Sequence, residues 1–207
     1  MSIDKIMRIA PVIPVLVIED GIDAVRLAET LVAAGLPVIE VTLRTAGALA
    51  AIKALAGVEG AVVGAGTVLN KAMLGDAIDA GARFIVSPGL TEPLGRAAID
   101  SGIPYLPGIA NAGDIMRGLD LGLTRFKFFP AEASGGLPAL KSLAGPFGDA
   151  RFCPTGGISE ANAATWLSHP SVLCVGGSWI VRAGDKDLTA IGERARAAAQ
   201  LAQPASV

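Results

Sequence analysis

The chain has 207 residues, of which 52% are hydrophobic and 17% are charged, and its formal net charge is −2. This length allows one domain with a sizeable core, and the composition excludes an intrinsically disordered chain. The charge balance does not predict a polybasic surface for nucleic acid, so any anionic ligand must be held by local features. We therefore expect a single domain over residues 1–207 with no nucleic-acid partner.

The N-terminal segment imitates a secretory signal only loosely. Lys5 and Arg8 precede an apolar run at 9–18, but Pro11 and Pro14 interrupt this run and acidic residues follow it. A signal would carry an unbroken apolar region and a small-residue cleavage site. We interpret the run as a first strand with an irregularity at Pro14, because proline removes a ladder donor. No stretch of the sequence is long and apolar enough to predict a membrane-spanning helix.

Short apolar runs alternate with segments rich in alanine and leucine along the whole chain. The runs, each a predicted strand, are 12–17, 38–42, 61–65, 84–87, 105–108, 125–128, 152–155 and 173–176. Predicted helices start near Gly21, Ala46, Asn70, Thr91, Asn111, Gly136, Glu160 and Lys186. Eight such units favour an α/β fold with parallel strands, closed into a (β/α)8 TIM barrel. A doubly wound sheet needs fewer strands and a glycine-rich loop after the first, which 18–21 does not provide.

Polar residues follow the predicted strands where barrel enzymes carry their chemistry. Glu40, Thr42 and Arg44 share one face of the second strand. Glu40 either forms a structural ion pair with Lys127 or Arg44, or works as an acid/base. Thr67 ends a Gly-Ala-Gly-Thr segment whose glycines leave room for a ligand near the backbone.

A lysine interrupts the sixth apolar run. Strand alternation places Phe126 and Phe128 on one face and Lys127 on the other. In a buried strand the amine points into an enclosed space, where desolvation favours the neutral, nucleophilic form. On an exposed edge strand the lysine is simply solvated, and these residues alone fit both interpretations. Glu132, five residues further on, is interpreted as a loop or helix-start carboxylate and not as the base.

Glycine pairs follow the last two predicted strands. Gly156 and Gly157 follow one of them, and the other ends at Gly177 and Ser178. In barrels of this class these two loops often bind phosphate through backbone N–H groups and a helix N-terminus. Tight turns without a ligand are the alternative. Together, an enclosed amine, a carboxylate, an arginine with a threonine, and a phosphate cradle suit Schiff-base chemistry on a phosphorylated 2-keto acid.

The two cysteines, Cys153 and Cys174, lie in apolar surroundings without metal-ligand spacing. We interpret them as reduced core residues of a cytoplasmic protein. A catalytic thiol is not predicted, because the only histidine, His169, lies in a Ser-His-Pro turn.

Six segments carry a resemblance to a known family: 38–45, 63–70, 87–93, 126–132, 152–159 and 176–179. On these motifs, the chain resembles the 2-keto-3-deoxy-6-phosphogluconate (KDPG) aldolases, which are class I aldolases. The matches run from about Pro11 to Trp179. The resemblance implies a (β/α)8 barrel, a homotrimer, and neither a metal nor another cofactor.

The resemblance also implies roles for individual residues. Lys127 matches the Schiff-base lysine and Glu40 the general acid/base. Arg44 and Thr67 match positions that hold the pyruvyl carboxylate. The remaining matched positions belong to the phosphate pocket, namely Gly156, Gly157, Gly177 and Ser178, and to the pocket wall, namely Thr155 and Pro88.

The implied activity is cleavage of KDPG to pyruvate and glyceraldehyde 3-phosphate, of the Entner–Doudoroff type. Cleavage of 4-hydroxy-2-ketoglutarate or of the galactonate epimer stays open, because stereochemistry at C4 cannot be read from sequence. The loop 110–113 departs from the family's Ser/Thr-rich pattern and leaves the aldehyde preference open. A more remote alternative is a barrel that binds a sugar phosphate without Schiff-base chemistry, either as an isomerase or as an inactive binding module.

Overall fold

The structure, a computed structural model, describes residues 1–19 and 22–202. Within these ranges the strands are β1 (Val12–Leu16), β2 (Val38–Thr42), β3 (Val62–Gly66), β4 (Phe84–Val86), β5 (Tyr105–Leu106), β6 (Gly108–Ile109), β7 (Arg125–Phe128), β8 (Arg151–Pro154) and β9 (Val175–Gly177). The helices are α1 (Ile3–Met7), α2 (Ala24–Ala33), α3 (Ala48–Leu55), α4 (Lys71–Asp79), α5 (Glu92–Asp100), α6 (Ala112–Asp120), α7 (Gly136–Ala144), α8 (Ala163–Leu167) and α9 (Leu188–Ala199).

The predicted strands are confirmed to within two residues at each end, with one exception. Pro107 divides the predicted run 105–108 into β5 and β6, because proline has no N–H for the ladder. Seven of the eight predicted helix starts lie within three residues of the observed ones. The eighth, near Gly21, lies outside the described residues, and α2 begins at Ala24 after an Asp23 cap.

The strands form two parallel sheets that curve around a common interior. One sheet has the order β5-β4-β3-β2-β1-β9, and the other has the order β6-β7-β8. From β1 to β5 the order follows the chain without the reversal that defines a doubly wound sheet, so that alternative is wrong. Pairing of β1 with β2 begins at Val15, next to Pro14, where we expected a local gap. On the other side, β1 pairs with β9 through Pro14.

Alternating side chains of the strands build two apolar layers. The outer layer lies between strands and helices and contains Ile39, Phe126 and Phe128. The inner layer fills the space that the sheets surround, with side chains mostly from the amino-terminal parts of the strands: Ile13, Val38, Val62, Phe84, Val86, Leu106, Cys153, Leu173 and Cys174. Further along the same inward faces come Glu40 and Lys127. The predicted separation of Lys127 from its two phenylalanine neighbours is confirmed.

Helix α1 closes the inner layer at the amino-terminal ends of the strands, and the sequence analysis did not predict it. Ser2 caps the helix by accepting a hydrogen bond from the Lys5 N–H. Ile6 and Met7 are buried in the inner layer. A five-residue helix has little stability of its own, so this tertiary burial holds it.

We expect Asp4→Asn to lower the free energy of unfolding by about 1 kcal/mol at pH 7. Asp4 accepts hydrogen bonds from Arg8 Nε at 3.0 Å and from Arg125 Nε of β7 at 2.6 Å, which tie α1 to the sheet. Burial raises the pKa of Asp4, but the bonds from Arg125 and Arg8 outweigh it, so the pKa lies below its ordinary 3.8. This stabilisation is therefore complete above pH 3.8 and is lost as the pH falls through the folded-state pKa.

Urea unfolding of both proteins at pH 7 and at stepwise lower pH tests this expectation. The stability difference between wild type and variant should narrow as the pH falls below 3.8. A difference that stays constant over this range would show that the Asp4 charge does not stabilise the fold.

Cys153 and Cys174 are free and buried, as predicted. Burial, reinforced by the neighbouring Cys153, raises the pKa of the Cys174 thiol well above its ordinary value. In the described parts of the chain, no cluster of three His, Cys, Asp or Glu side chains could hold a metal ion. Within the same ranges, each helix falls short of the length and apolarity needed to cross a bilayer.

Candidate active site

Lys127 and Glu40 face each other across the interior. Lys127 Nζ donates to Glu40 Oε1 at 3.0 Å, and its distance to Oε2 is 3.3 Å. The two residues are 6% and 3% exposed. Lys127 is thus enclosed, and the alternative of a solvated edge lysine is wrong. Of the two ion-pair partners considered for Glu40, the structure places Lys127 against it, and mutual pairing offsets the cost of burying both charges.

Gly66 provides the room that Glu40 occupies. A Cβ built on Gly66 would lie 2.2 Å from Glu40 Oε1, and one on Gly64 would lie 2.4 Å from the Phe84 ring. These glycines sit opposite β2, with Gly64 paired to Glu40 in the register. We expected them to leave space for a ligand, but the space holds the carboxylate of Glu40 and the ring of Phe84.

Phe129 is a neighbour of the amine that the sequence analysis missed. The centroid of its ring lies 5.5 Å from Lys127 Nζ, within cation–π range. The available signal was its spacing, because residues two apart in an extended segment share a face. The ring adds an apolar wall with a negative face beside the Lys127–Glu40 pair.

Arg44 and Thr67 meet just beyond the carboxyl ends of β2 and β3. Arg44 Nε donates to Thr67 Oγ1 at 3.4 Å. Thr67 has a φ of +60°, in the left-handed region that β-branched residues rarely adopt. Such strain clusters at functional sites. Because Arg44 is exposed and Thr67 directly follows Gly66, the pair presents a guanidinium and a hydroxyl beside Glu40.

The loops after β8 and β9 lie side by side. Thr155 pairs with Gly176 in a parallel bridge that brings the two strand ends together. Gly156 and Gly157 have φ values of +99° and +78°, a turn geometry that can direct successive N–H groups toward an anion. The four positions predicted for phosphate therefore lie at the ends of adjacent strands and in the loops that follow them: Gly156, Gly157, Gly177 and Ser178.

Thr155 and Pro88, the two residues predicted for the pocket wall, lie at different depths. Thr155 is 7% exposed, and its Oγ1 fills the space that a side chain on Gly176 would need. Pro88 is half-buried, and its carbonyl oxygen lies 2.2 Å from where a Cβ on Gly108 would stand. The absence of a side chain at Gly108 thus allows the loop after β4 to pass close to β6.

An open groove of about 500 Å³ adjoins the loop after β9. The residues that line it include Val15, Glu19, Ser178, Trp179 and Arg182, so the groove carries charges of both signs. Arg182 adds a positive charge on the same side as Ser178, and the sequence analysis did not single it out. Its position could not be read from a motif, since it depends on how the segment after β9 folds back.

The arrangement as a whole places a primary amine and a proton acceptor within hydrogen-bond distance in an enclosed space. An amine so placed can add to a ketone, and the carboxylate can exchange protons with it. Fold and site together fit the class of carbon–carbon lyases that work through a lysine amine.

The comparison with known proteins gives the family. The family model described as "Aldolase: KDPG and KHG aldolase" matches residues 3–194. A 2-dehydro-3-deoxy-phosphogluconate aldolase of Zymomonas mobilis is 61% identical over 197 residues, 95% of each chain. The chain belongs to the KDPG and KHG aldolase family and is an aldehyde-lyase.

Two solved structures extend the comparison. A 2-keto-3-deoxy-6-phosphogluconate aldolase of Zymomonas mobilis is 59% identical with a TM-score of 0.97, covering 100% of both chains. KDPG aldolase of Legionella pneumophila is 43% identical with a TM-score of 0.91, covering 97% of this chain and 99% of that one. In the latter structure, pyruvate is captured as a covalent carbinolamine intermediate.

Proposed function

We propose that this aldolase cleaves KDPG to pyruvate and glyceraldehyde 3-phosphate through a Schiff base on Lys127. The observation that carries the proposal is the buried Lys127–Glu40 pair, with Nζ and Oε1 3.0 Å apart. The covalent pyruvate adduct of the Legionella relative supports the chemistry, and the 61% identical relative supports the substrate.

The first steps use the enclosed amine of Lys127. Lys127, as the free amine, attacks the C2 ketone of the substrate and forms a carbinolamine, with a proton shifting from nitrogen to oxygen. The carbinolamine hydroxyl takes up a proton from solvent and leaves as water, and an iminium forms. Enclosure by the inner layer and Phe129 limits the access of bulk water to this carbon.

The iminium then serves as the electron sink for cleavage. Glu40, directly or through one water, removes the proton of the C4 hydroxyl, and the C3–C4 electron pair moves toward the iminium nitrogen. The aldehyde leaves, and the enamine of pyruvate remains on Lys127. Protonation at C3 and hydrolysis release pyruvate and free the amine.

Arg44 and Thr67 are assigned to the substrate carboxylate. The guanidinium of Arg44 offers two parallel N–H donors, and the Thr67 hydroxyl lies 3.4 Å from Arg44 Nε. Thr67 has a positive φ and its hydroxyl contacts Arg44, which together support a role that repays the backbone strain.

We expect Arg44→Lys to raise KM for KDPG about ten-fold, because a lysine cannot form the bidentate contact. The substrate titration is followed by coupling pyruvate release to lactate dehydrogenase. Arg96→Lys, a change on the exposed α5 ion pair with Glu92, serves as the control and should leave KM unaltered. An unchanged KM in Arg44→Lys would argue against the carboxylate clamp.

The loops at Gly156 and Ser178 are assigned to the phosphate group. Their backbone geometry supports an anion at this place. We therefore expect kcat/KM for KDPG to exceed that for 4-hydroxy-2-ketoglutarate at least ten-fold, about 1.4 kcal/mol. A substrate panel that also includes the C4 epimer tests this ranking. Equal values for the two acids would remove the phosphate pocket from the proposal.

Cleavage of 4-hydroxy-2-ketoglutarate is the second candidate function. The matching family model covers aldolases for both keto acids, which favours this reaction over others. The same Lys127 and Glu40 would carry it, since the pyruvyl half of both substrates is identical. The panel separates the two candidates.

We infer that the strands close into an eight-stranded (β/α)8 barrel within one domain over residues 1–207. Two contacts support closure between the sheets. Near β5 and β6, the carbonyl of Pro107 accepts a hydrogen bond from the Lys127 N–H of β7 at 2.8 Å. On the far side, the bridge between Thr155 and Gly176 links β8 to β9. With β5 and β6 counted as one strand, residues 1–19 and 22–202 contain eight strands.

We also propose a homotrimer in the cytoplasm that binds no metal or other cofactor, following the family resemblance. Met116, Ile99 and Leu119 are large apolar side chains that are 57%, 42% and 38% exposed on α5 and α6, which supports contact with further copies. The free thiols of Cys153 and Cys174 support a reducing compartment. Sedimentation should give three times the 20.8 kDa chain mass.

A further inference from the structure

Glu132 stands directly behind the glycine loop that follows β8. Its main-chain N–H donates to the Gly156 carbonyl at 3.1 Å. Its side chain fills the space beside Gly157, where an added Cβ would lie 2.5 Å from Glu132 Cγ. Glu132 therefore contacts both glycines of the loop assigned above to the phosphate group.

The carboxylate of Glu132 joins this loop to α8. Its Oε1 accepts from Asn162 Nδ2 at 3.1 Å and from Trp166 Nε1 at 2.9 Å. Trp166 is 2% exposed, and its ring lies 6.3 Å from that of Phe128 in the outer layer. The buried indole N–H of Trp166 therefore holds the Glu132 carboxylate in place. The same carboxylate oxygen accepts the hydrogen bond from Asn162, so the position of Asn162 depends on Glu132.

Asn162 in turn holds the loop at two points. Its Nδ2 donates to the Gly157 carbonyl at 3.1 Å, and its Oδ1 accepts from the Ser159 N–H at 2.8 Å. These contacts fix the amide orientation, because one end of the amide faces acceptors and the other faces a donor. The loop 156–159 is consequently held by a hydrogen-bond network of Glu132, Asn162 and Trp166.

The charge of Glu132 does not suit direct binding of the phosphate group. A carboxylate close to a phosphate repels it, so a contribution of Glu132 to affinity must come from geometry. The two donors on Oε1 are the contacts that supply that geometry.

We propose that Glu132 is a positioning residue for phosphate recognition: through Asn162 and Trp166 it holds the loop 156–159 in its anion-binding shape. The proposal rests on the proposed function, since it assigns this loop to the phosphate group of the substrate. A loss of Glu132 should affect phosphate binding but not the reaction of Lys127 with pyruvate, because the Lys127 side chain is held by Glu40 and not by this network.

The test compares Glu132→Ala with Glu132→Gln, which keeps an oxygen acceptor for both donors. We expect the alanine variant to raise KM for KDPG about ten-fold and to weaken competitive inhibition by inorganic phosphate equally. The glutamine variant should stay within about two-fold of wild type. The pyruvate concentration that half-saturates borohydride trapping on Lys127 should be the same in all three proteins. Glu193→Ala, which removes an exposed carboxylate on α9, is the control and should match wild type.

Two results would overturn the proposal. One is an unchanged KM and phosphate inhibition in Glu132→Ala. The other is a parallel loss of pyruvate trapping, which would indicate a general structural role. If the alanine variant does not fold, Asn162→Ala answers the question, because it breaks the link between Glu132 and the loop without adding a charge. It should show the same selective rise in KM.

Trapping of pyruvate by the wild-type protein tests the function alone. Calorimetric titration of each folded protein with inorganic phosphate measures anion binding without turnover. A wild-type protein that traps pyruvate, together with equal phosphate affinity in wild type and Glu132→Ala, would reject only the role of Glu132.

Discussion

Lys127→Ala is expected to form no borohydride-stable adduct with pyruvate and to cleave KDPG at least about 10⁴-fold more slowly than wild type. Without the amine there is no iminium, and the electrons of the C3–C4 bond have no sink. The remaining site can still bind the substrate through its carboxylate and phosphate contacts, so the loss should fall on kcat more than on KM.

The Lys127→Ala experiment needs a control for folding, because the change leaves the buried carboxylate of Glu40 without its partner. We expect a loss of a few kcal/mol of stability from this unpaired group. The double variant Lys127→Ala/Glu40→Gln removes the charge and should recover part of the stability but none of the activity. Lys141→Ala, on α7, controls for loss of a lysine elsewhere. Robust turnover by the folded Lys127→Ala protein would contradict the assignment of Lys127 as the Schiff-base lysine.

Glu40→Gln is expected to trap pyruvate on Lys127 but to turn over KDPG about 10²- to 10⁴-fold more slowly. The glutamine side chain has the same length and can still accept a hydrogen bond from Nζ, so the amine stays in place. It cannot accept a proton, so deprotonation of the C4 hydroxyl and proton transfer at C3 both slow down.

Two measurements distinguish the steps affected in Glu40→Gln. Borohydride trapping reports iminium formation, and deuterium exchange of the pyruvate methyl group in D₂O reports proton transfer at C3. We expect slow exchange with retained trapping. Glu59→Gln, at an exposed carboxylate, is the control and should behave as wild type. If Glu40→Gln loses trapping altogether, Glu40 positions the lysine or serves the structure, and the base must be sought elsewhere.

The elements that sequence predicts well are those whose signal is local. The bounds of β2 and β7 agree with the predicted runs, because alternation between two buried faces repeats every second residue. The same alternation placed Lys127 opposite Phe126 and Phe128. Helix α1 was missed because five residues carry too little periodicity, and its burial depends on an inner layer assembled from the whole chain.

The candidate site was only partly predictable, because its contacts join distant segments. The sequence allows Glu40 to pair with either Lys127 or Arg44. The contact that decides between them, from Lys127 to Glu40, joins residues 87 positions apart in the chain. The space at Gly66 is filled from a neighbouring strand, which no local pattern reveals. Glu132 was recognised as a loop carboxylate, but its bonds to Asn162 and Trp166 come from the packing of α8.

The most direct test of the central claim is reduction of the protein with borohydride in the presence of pyruvate, followed by intact-mass measurement and peptide mapping. We predict a single reduced pyruvyl adduct, located on Lys127, and its absence when borohydride is added without pyruvate. A folded protein that gives no adduct, or an adduct on a different lysine, would contradict a Schiff-base mechanism at Lys127.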